Sequence, residues 1–258
     1  MKITALTENT SARADIKSEH GLSLYIETDG HKILFDMGQT DAFAKNAEKL
    51  GIDLSSVDIA VLSHGHYDHG GGLKHFLEIN RTAPVYVHRD AVLPHYNGTE
   101  KYIGLDPSIL DSPRIIFTDG ETVIGDRLTL FSCNEKDRLF PIDSAGLTEL
   151  VDGGFIPEDF RHEQYLLIGE KDKRVLISGC SHKGITDIVN WFHPHVLVGG
   201  FHFSKRPLDN SLKRDAEALN ETEAEFYTCH CTGAEQFEFM KKYITRLSYL
   251  SAGQSVEL

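Results

Sequence analysis

The chain has 258 residues, enough for one large domain with a sizeable core, and 40 % hydrophobic with 25 % charged residues is the composition of an ordinary globular protein. Lys and Arg number 26 against 39 Asp and Glu, a net charge of −13 that repels polyphosphate backbones and argues against a nucleic-acid partner. The opening MKITALTENTSARADIKSEH lacks the apolar stretch of a signal peptide and no long apolar run follows, so no membrane span and a cytoplasmic location are expected.

In chain order, KITAL, LSLYIE and KILFDMG read as strands, the last two joined by the turn signal TDGHK. TDAFAKNAEKLG has the apolar spacing of a helix, DIAVLS is a short buried strand, and GLKHFLEIN is again helical. PVYVH, RIIFTDG and LTLFS are strand-like, but from about residue 92 to 160 the chain has loop character, as in LPHYNGTEKYIGLDPSILDSP and FPIDSAGLTELVDGGFIPEDF. A lid or loop insertion is expected there, with Tyr96, Tyr102 and Phe155 able to stack on a substrate ring. QYLLIGE, RVLISG, HVLVGG and AEFYTCH complete the strands, and GITDIVNWF, LKRDAEALN and AEQFEFMKKYI the helices. No linker divides the chain, so a single domain over 1–258 with mixed sheets and interspersed helices is expected.

The stretch AVLSHGHYDHGGGL carries His64, His66, Asp68 and His69 at a strand-to-helix junction. Clustered histidines can be a solvated turn, but loops at such junctions usually carry function. At a strand end, residues i and i+2 can point into one space, so His64 and His66 can converge on one cation while Asp68 and His69 reach a neighbouring position. Imidazole nitrogen suits zinc, and an added carboxylate also admits manganese or iron. VLISGCSHKGITDI echoes the same order of strand, Ser, His-bearing loop, Gly and helix, and places Cys180 and His182 past a strand. GGFHF and YTCHCTG place His202 and His230 in the same way. The four cysteines, Cys133, Cys180, Cys229 and Cys231, have no disulfide framework spacing and read as reduced thiols. Lys183, Lys205 and Arg206 would suit one small phosphate.

HGHYDH resembles the H-x-H-x-D-H signature of the metallo-beta-lactamase superfamily. EHGLSLYIE, ILFDMGQ, EQYLLI, SGCSHKGI, GGFHF and HCTG, in order, are similar to its branch of metal-dependent hydrolases that includes dihydropterin ribofuranosylaminobenzene-phosphate synthase. The resemblance implies the α/β metallo-beta-lactamase fold, a four-layer αββα sandwich with two mixed β-sheets. It implies two divalent ions, zinc or else manganese or iron, with His64 and His66 on one and Asp68 and His69 on the other. SGC stands where TGD is expected, so Cys180 replaces the bridging aspartate and His182 is the preferred substitute ligand. His230 is the final ligand, His202 the catalytic or phosphate-binding histidine, and Asp36 an aspartate that orients ligands. His162 and Glu163 fall near the expected third-motif histidine, which makes Glu163 a further candidate ligand or supporting group.

Such a site is hydrolytic, with Asp68 taking a proton from water and His202 protonating the leaving group. The expected partner is a small ester or phosphoester, phosphorylated or pterin-like, contacted by Lys183 and Arg206; a homo-oligomer is compatible with the chain. Two alternatives stand beside this: a transferase condensing a pterin pyrophosphate with a ribofuranosylaminobenzene phosphate, and a non-catalytic metal-binding sensor.

Overall fold

Ile59, Ala60 and Val61 are buried on both faces, the environment of a strand inside a parallel sheet rather than at a half-wet edge. In the computed structural model, which describes residues 1–258, Ile59–Val61 runs parallel to Lys32–Phe35 on one side and Val85–His88 on the other. They belong to a seven-stranded mixed sheet in the order Ser255–Glu257, Lys2–Thr7, Ser23–Glu27, Lys32–Phe35, Ile59–Val61, Val85–His88, Ile115–Thr118. Its first four strands pair antiparallel and the remaining pairs are parallel. Helices Ala42–Lys49 and Leu73–Ile79 cover it through Phe43, Ala47, Leu73 and Phe76, in one core with Leu34, Ala60 and Val85.

This sheet lies in the first of two compact units, which comprises Met1–Asp119, Ser144–Gln164 and Ser251–Leu258. The second, Gly120–Asp143 with Tyr165–Leu250, holds another seven-stranded mixed sheet. Its order is Leu247–Tyr249, Glu225–Thr228, Val196–Gly199, Lys173–Ile177, Tyr165–Glu170, Leu128–Phe131, Glu121–Gly125, with the first four parallel and the rest antiparallel. Ile185–Phe192, Asn210–Glu221 and Ala234–Met240 supply its helices and share a core of Leu176, Leu197, Phe226, Ile188 and Leu212. The longest of them starts where Asp209 accepts the backbone N–H groups of Ser211 and Leu212, a side-chain cap at the point the chain turns in. No helix is long and apolar enough to cross a membrane.

The stretch expected to be a lid is ordered differently. Residues 120–143 belong to the second unit. Around them the first unit builds a four-stranded antiparallel sheet, Gly154–Pro157, Leu147–Val151, His95–Asn97, Lys101–Tyr102. Its strands were not legible because Gly154–Pro157 and Lys101–Tyr102 are exposed throughout, leaving no alternation to read. Tyr96 packs edge-on against both Tyr102 and Phe155, with ring centres 5.4 and 5.1 Å away.

Both units place their candidate residues past the C-terminal ends of parallel strands, where open α/β sheets expose their loops. Ser63 and His64 follow Ile59–Val61, Cys180 and His182 follow Lys173–Ile177, His202 follows Val196–Gly199, and His230 follows Glu225–Thr228.

Candidate metal centre

In the first unit the site is organised by Asp36, which leaves Lys32–Phe35 with φ of 59°, a left-handed conformation uncommon for a residue with a side chain. Fully buried, it accepts the Ser63 N–H at 2.7 Å on Oδ1, and on Oδ2 the Ser63 hydroxyl at 2.7 Å and His69 Nδ1–H at 2.6 Å. Because the one hydroxyl proton of Ser63 goes to the carboxylate, Ser63 Oγ is an acceptor for His64 Nδ1–H at 2.8 Å. Both His64 and His69 therefore carry their lone pair on Nε2, the nitrogen a divalent cation needs. The rings are gathered closely, with His64 4.6 Å from His66 and 4.1 Å from His69 between centres. Two glycines make this fit: a Cβ at Gly65 would overlap the Ala91 carbonyl oxygen, and one at Gly72 that of Met37.

Asp68 lies in the short helix Tyr67–Gly70, nearly buried, with Oδ2 3.2 Å from His20 Nε2 and 3.9 Å from His69 Nε2. No sequence pattern marks His20, which is exposed and follows the polar run Lys17, Ser18 and Glu19.

His66 has different surroundings. Its Nε2 lies 3.1 Å from Oε2 of Glu158, whose Oε1 also meets His162 Nε2 at 2.9 Å and His95 Nδ1 at 2.5 Å. Burial alone would push the Glu158 carboxyl up, but hydrogen bonds from His162, His66 and His95 outweigh it and hold the group far below the usual carboxylate range. Burial and the neighbouring His95 hold His162 well below the ordinary imidazole value, against the pull of Glu158. Glu163 is buried too, but it is Glu158 and His162 that meet His66.

In the second unit the His182 and His202 rings lie 4.2 Å apart between centres and tilted by 48°, His182 buried and His202 half-buried. Thiol and imidazole atoms of Cys180, His202 and Cys231 lie within 4.8 Å of one another. Burial would raise the Cys231 thiol, yet its contacts with Cys180 and His202 prevail and hold it well below the ordinary thiol value. Ser181, His202 and His230 all have left-handed backbones, with φ of 59°, 55° and 49°. The Lys183 ammonium is buried and donates to the Ser132 carbonyl at 2.5 Å and Asn134 Oδ1 at 2.8 Å. Arg206 pairs with Asp215, donates to Ser211 Oγ at 3.1 Å, and lies over the Phe203 ring.

A family model for the metallo-beta-lactamase superfamily matches residues 18–223. The chain is 29 % identical to an uncharacterized protein of Methanocaldococcus jannaschii, MJ0448, over 96 % of this chain and 94 % of the other. It is 27 % identical to 7,8-dihydropterin-6-methyl-4-(beta-D-ribofuranosyl)-aminobenzene-5'-phosphate synthase of the same organism, over 100 % of this chain and 96 % of the synthase. Among solved structures, Tm1679, described as a metal-dependent hydrolase of the beta-lactamase superfamily, superposes with a TM-score of 0.83 at 31 % identity, covering 100 % of this chain and 99 % of its own.

Proposed function

Because the chain belongs to the metallo-beta-lactamase superfamily and has its αββα fold, we propose that it is a metal-dependent hydrolase acting on a small ester or phosphoester. The observation that carries this reading is the Asp36 and Ser63 network, which fixes His64 and His69 with Nε2 lone pairs at the end of a parallel strand. A merely structural histidine cluster has no need for two such orientations. His64, His66, Asp68 and His69 would hold divalent metal in the first unit, zinc by preference for the imidazoles, and the family resemblance of the sequence assigns His182 and His230 of the second unit as further ligands. When bound, such ions supply an acidified water and neutralise developing negative charge.

The chain's own groups supply the rest. Asp68 Oδ2 takes a proton from the attacking water, and His202 donates one to the leaving oxygen. Asp36 holds the two imidazoles so that no reorientation accompanies the reaction. Cys180 stands in the bridging aspartate's place, next to Cys231 and His202. Of the cations assigned to a phosphate, Arg206 is only part-buried and can exchange Asp215 for a ligand. Lys183 is buried with its ammonium held by Ser132 and Asn134, so the phosphate contact falls to Arg206.

The test is a panel of a phosphodiester, a lactone and a thioester, run on zinc-loaded protein and again after chelation. Chelator-sensitive turnover of one class supports the proposal, and metal-independent turnover or none at all refutes it. A second reading, transfer of a pterin from its pyrophosphate to a ribofuranosylaminobenzene phosphate, is favoured by the likeness to the synthase along the whole chain. Product analysis separates the two, since the transferase forms a pterin conjugate and releases pyrophosphate where the hydrolase does not.

A further inference from the structure

His66, His95, Glu158 and His162 are all buried, and their ligand atoms lie within 4.8 Å of one another. Such a set could hold a cation of its own or could be a carboxylate surrounded by N–H donors. His162 decides between them. Its Nδ1 accepts the Gly65 backbone N–H at 2.9 Å and so bears the ring's lone pair. In a neutral imidazole the other nitrogen then carries the proton, and His162 Nε2–H donates to Glu158. An imidazole fixed this way has no lone pair left for an ion.

Glu158 thus has the place of an acceptor. An ionised carboxylate has only acceptor sites, about four of them, so the nitrogen that His66 turns toward it is an N–H group. We propose that Glu158 is a positioning residue for the metal centre: it holds His66 by Nε2–H and so leaves Nδ1 as the nitrogen that binds metal. This rests on the hydrolase reading, in which His66 is a ligand. Asp36 and Glu158 then do the same work through opposite ring nitrogens, Asp36 on His69 through Nδ1 and Glu158 on His66 through Nε2.

The small sheet acquires a role in the same way. Glu149 of Leu147–Val151 pairs with His95, and Gly154–Pro157 pairs with the same strand and delivers Glu158 as the next residue. The Glu158 N–H donates to the Leu147 carbonyl at 3.1 Å, which fixes the carboxylate's starting point. The sheet within the expected lid is in this account the scaffold that carries His95 and Glu158 to His66.

The tautomer of His66 is read by nitrogen-15 NMR of histidine-labelled protein, zinc-loaded and metal-free, and zinc affinity is measured by titration with zinc chloride. In wild-type protein His66 is expected with Nε2 protonated and Nδ1 unprotonated in both states. Glu158→Gln offers one carbonyl oxygen and an NH2 that opposes an N–H donor, so His66 should populate the Nδ1–H form and zinc affinity should fall roughly 10- to 100-fold. Glu158→Asp, which restores an acceptor-only group, should return the Nε2–H signature and recover part of the affinity. Nδ1–H in the wild-type protein overturns the proposal, whether or not the Gln variant folds. Unchanged zinc affinity in Glu158→Gln, with zinc lost in His66→Ala, overturns it while leaving the hydrolase reading intact. Full zinc affinity in His66→Ala overturns the hydrolase reading's ligand set and the proposal with it.

Discussion

Asp36→Asn changes one buried atom and tests the network on which the metal centre stands. The amide oxygen can take the Oδ2 position and keep both donors there, the Ser63 hydroxyl and His69 Nδ1–H. Its NH2 group then faces the Ser63 backbone N–H, which loses its acceptor inside the protein. An orphaned buried donor costs about 1–3 kcal/mol, and exchanging a charged for a neutral acceptor in the two retained bonds costs about 1 kcal/mol more. The sum, about 2–4 kcal/mol, corresponds to a midpoint lowered by roughly 4–8 °C in a chain of this size. Thermal unfolding in chelator isolates this effect from metal binding. Zinc titration should separately show affinity reduced roughly 10- to 100-fold, because the support behind both Nε2 ligands has weakened. A midpoint within about 2 °C of wild type together with unaltered zinc affinity would refute the reasoning.

His66→Ala should lose bound zinc, measured by elemental analysis, while the metal-free protein keeps its far-UV spectrum, since a loop ligand contributes binding energy more than core packing. His202→Ala should retain full zinc and lose about a hundredfold or more in turnover, whereas His230→Ala should lose both; equal zinc loss in the two would make His202 a ligand. Tyr25 tests the alkaline limb of stability. Burial, and then the charges of Glu27, Asp58 and Asp53, push its phenol up to about 12, so the folded state holds that proton more tightly than the unfolded chain does. Its contribution is complete below about pH 10 and is lost as pH rises toward 12, a fall of about 2 kcal/mol by denaturant unfolding that should shrink in Tyr25→Phe. An equally steep alkaline fall in that variant would remove Tyr25 as its cause.

Elements with a strong apolar pattern were legible in the sequence. DIAVLS and RVLISG mark strands because Ile59–Val61 and Val175–Ile177 are buried side by side, and GITDIVNWF marks a helix because Ile185, Ile188 and Val189 return to one face. Exposed strands such as Gly154–Pro157 leave no such trace. The same division holds at the site. HGHYDH declares itself through spacing within six residues, and Asp36 through its place at a strand end. His95 and Glu158 stand in loop-like surroundings and reach His66 only through pairing between strands some 50 residues apart in the chain, a relation that no local pattern encodes. Lys183 reads as a free cation beside His182, yet its ammonium is buried against Ser132 and Asn134, because a long side chain follows the packing around it rather than its neighbour in sequence.

The central claim is that this chain hydrolyses its substrate with bound metal, and the most direct measurement is turnover of a phosphodiester before chelation, after chelation and after zinc is returned. The account predicts activity that disappears with the metal and comes back with it, and that does neither in His64→Ala. Turnover that survives complete metal removal would contradict it.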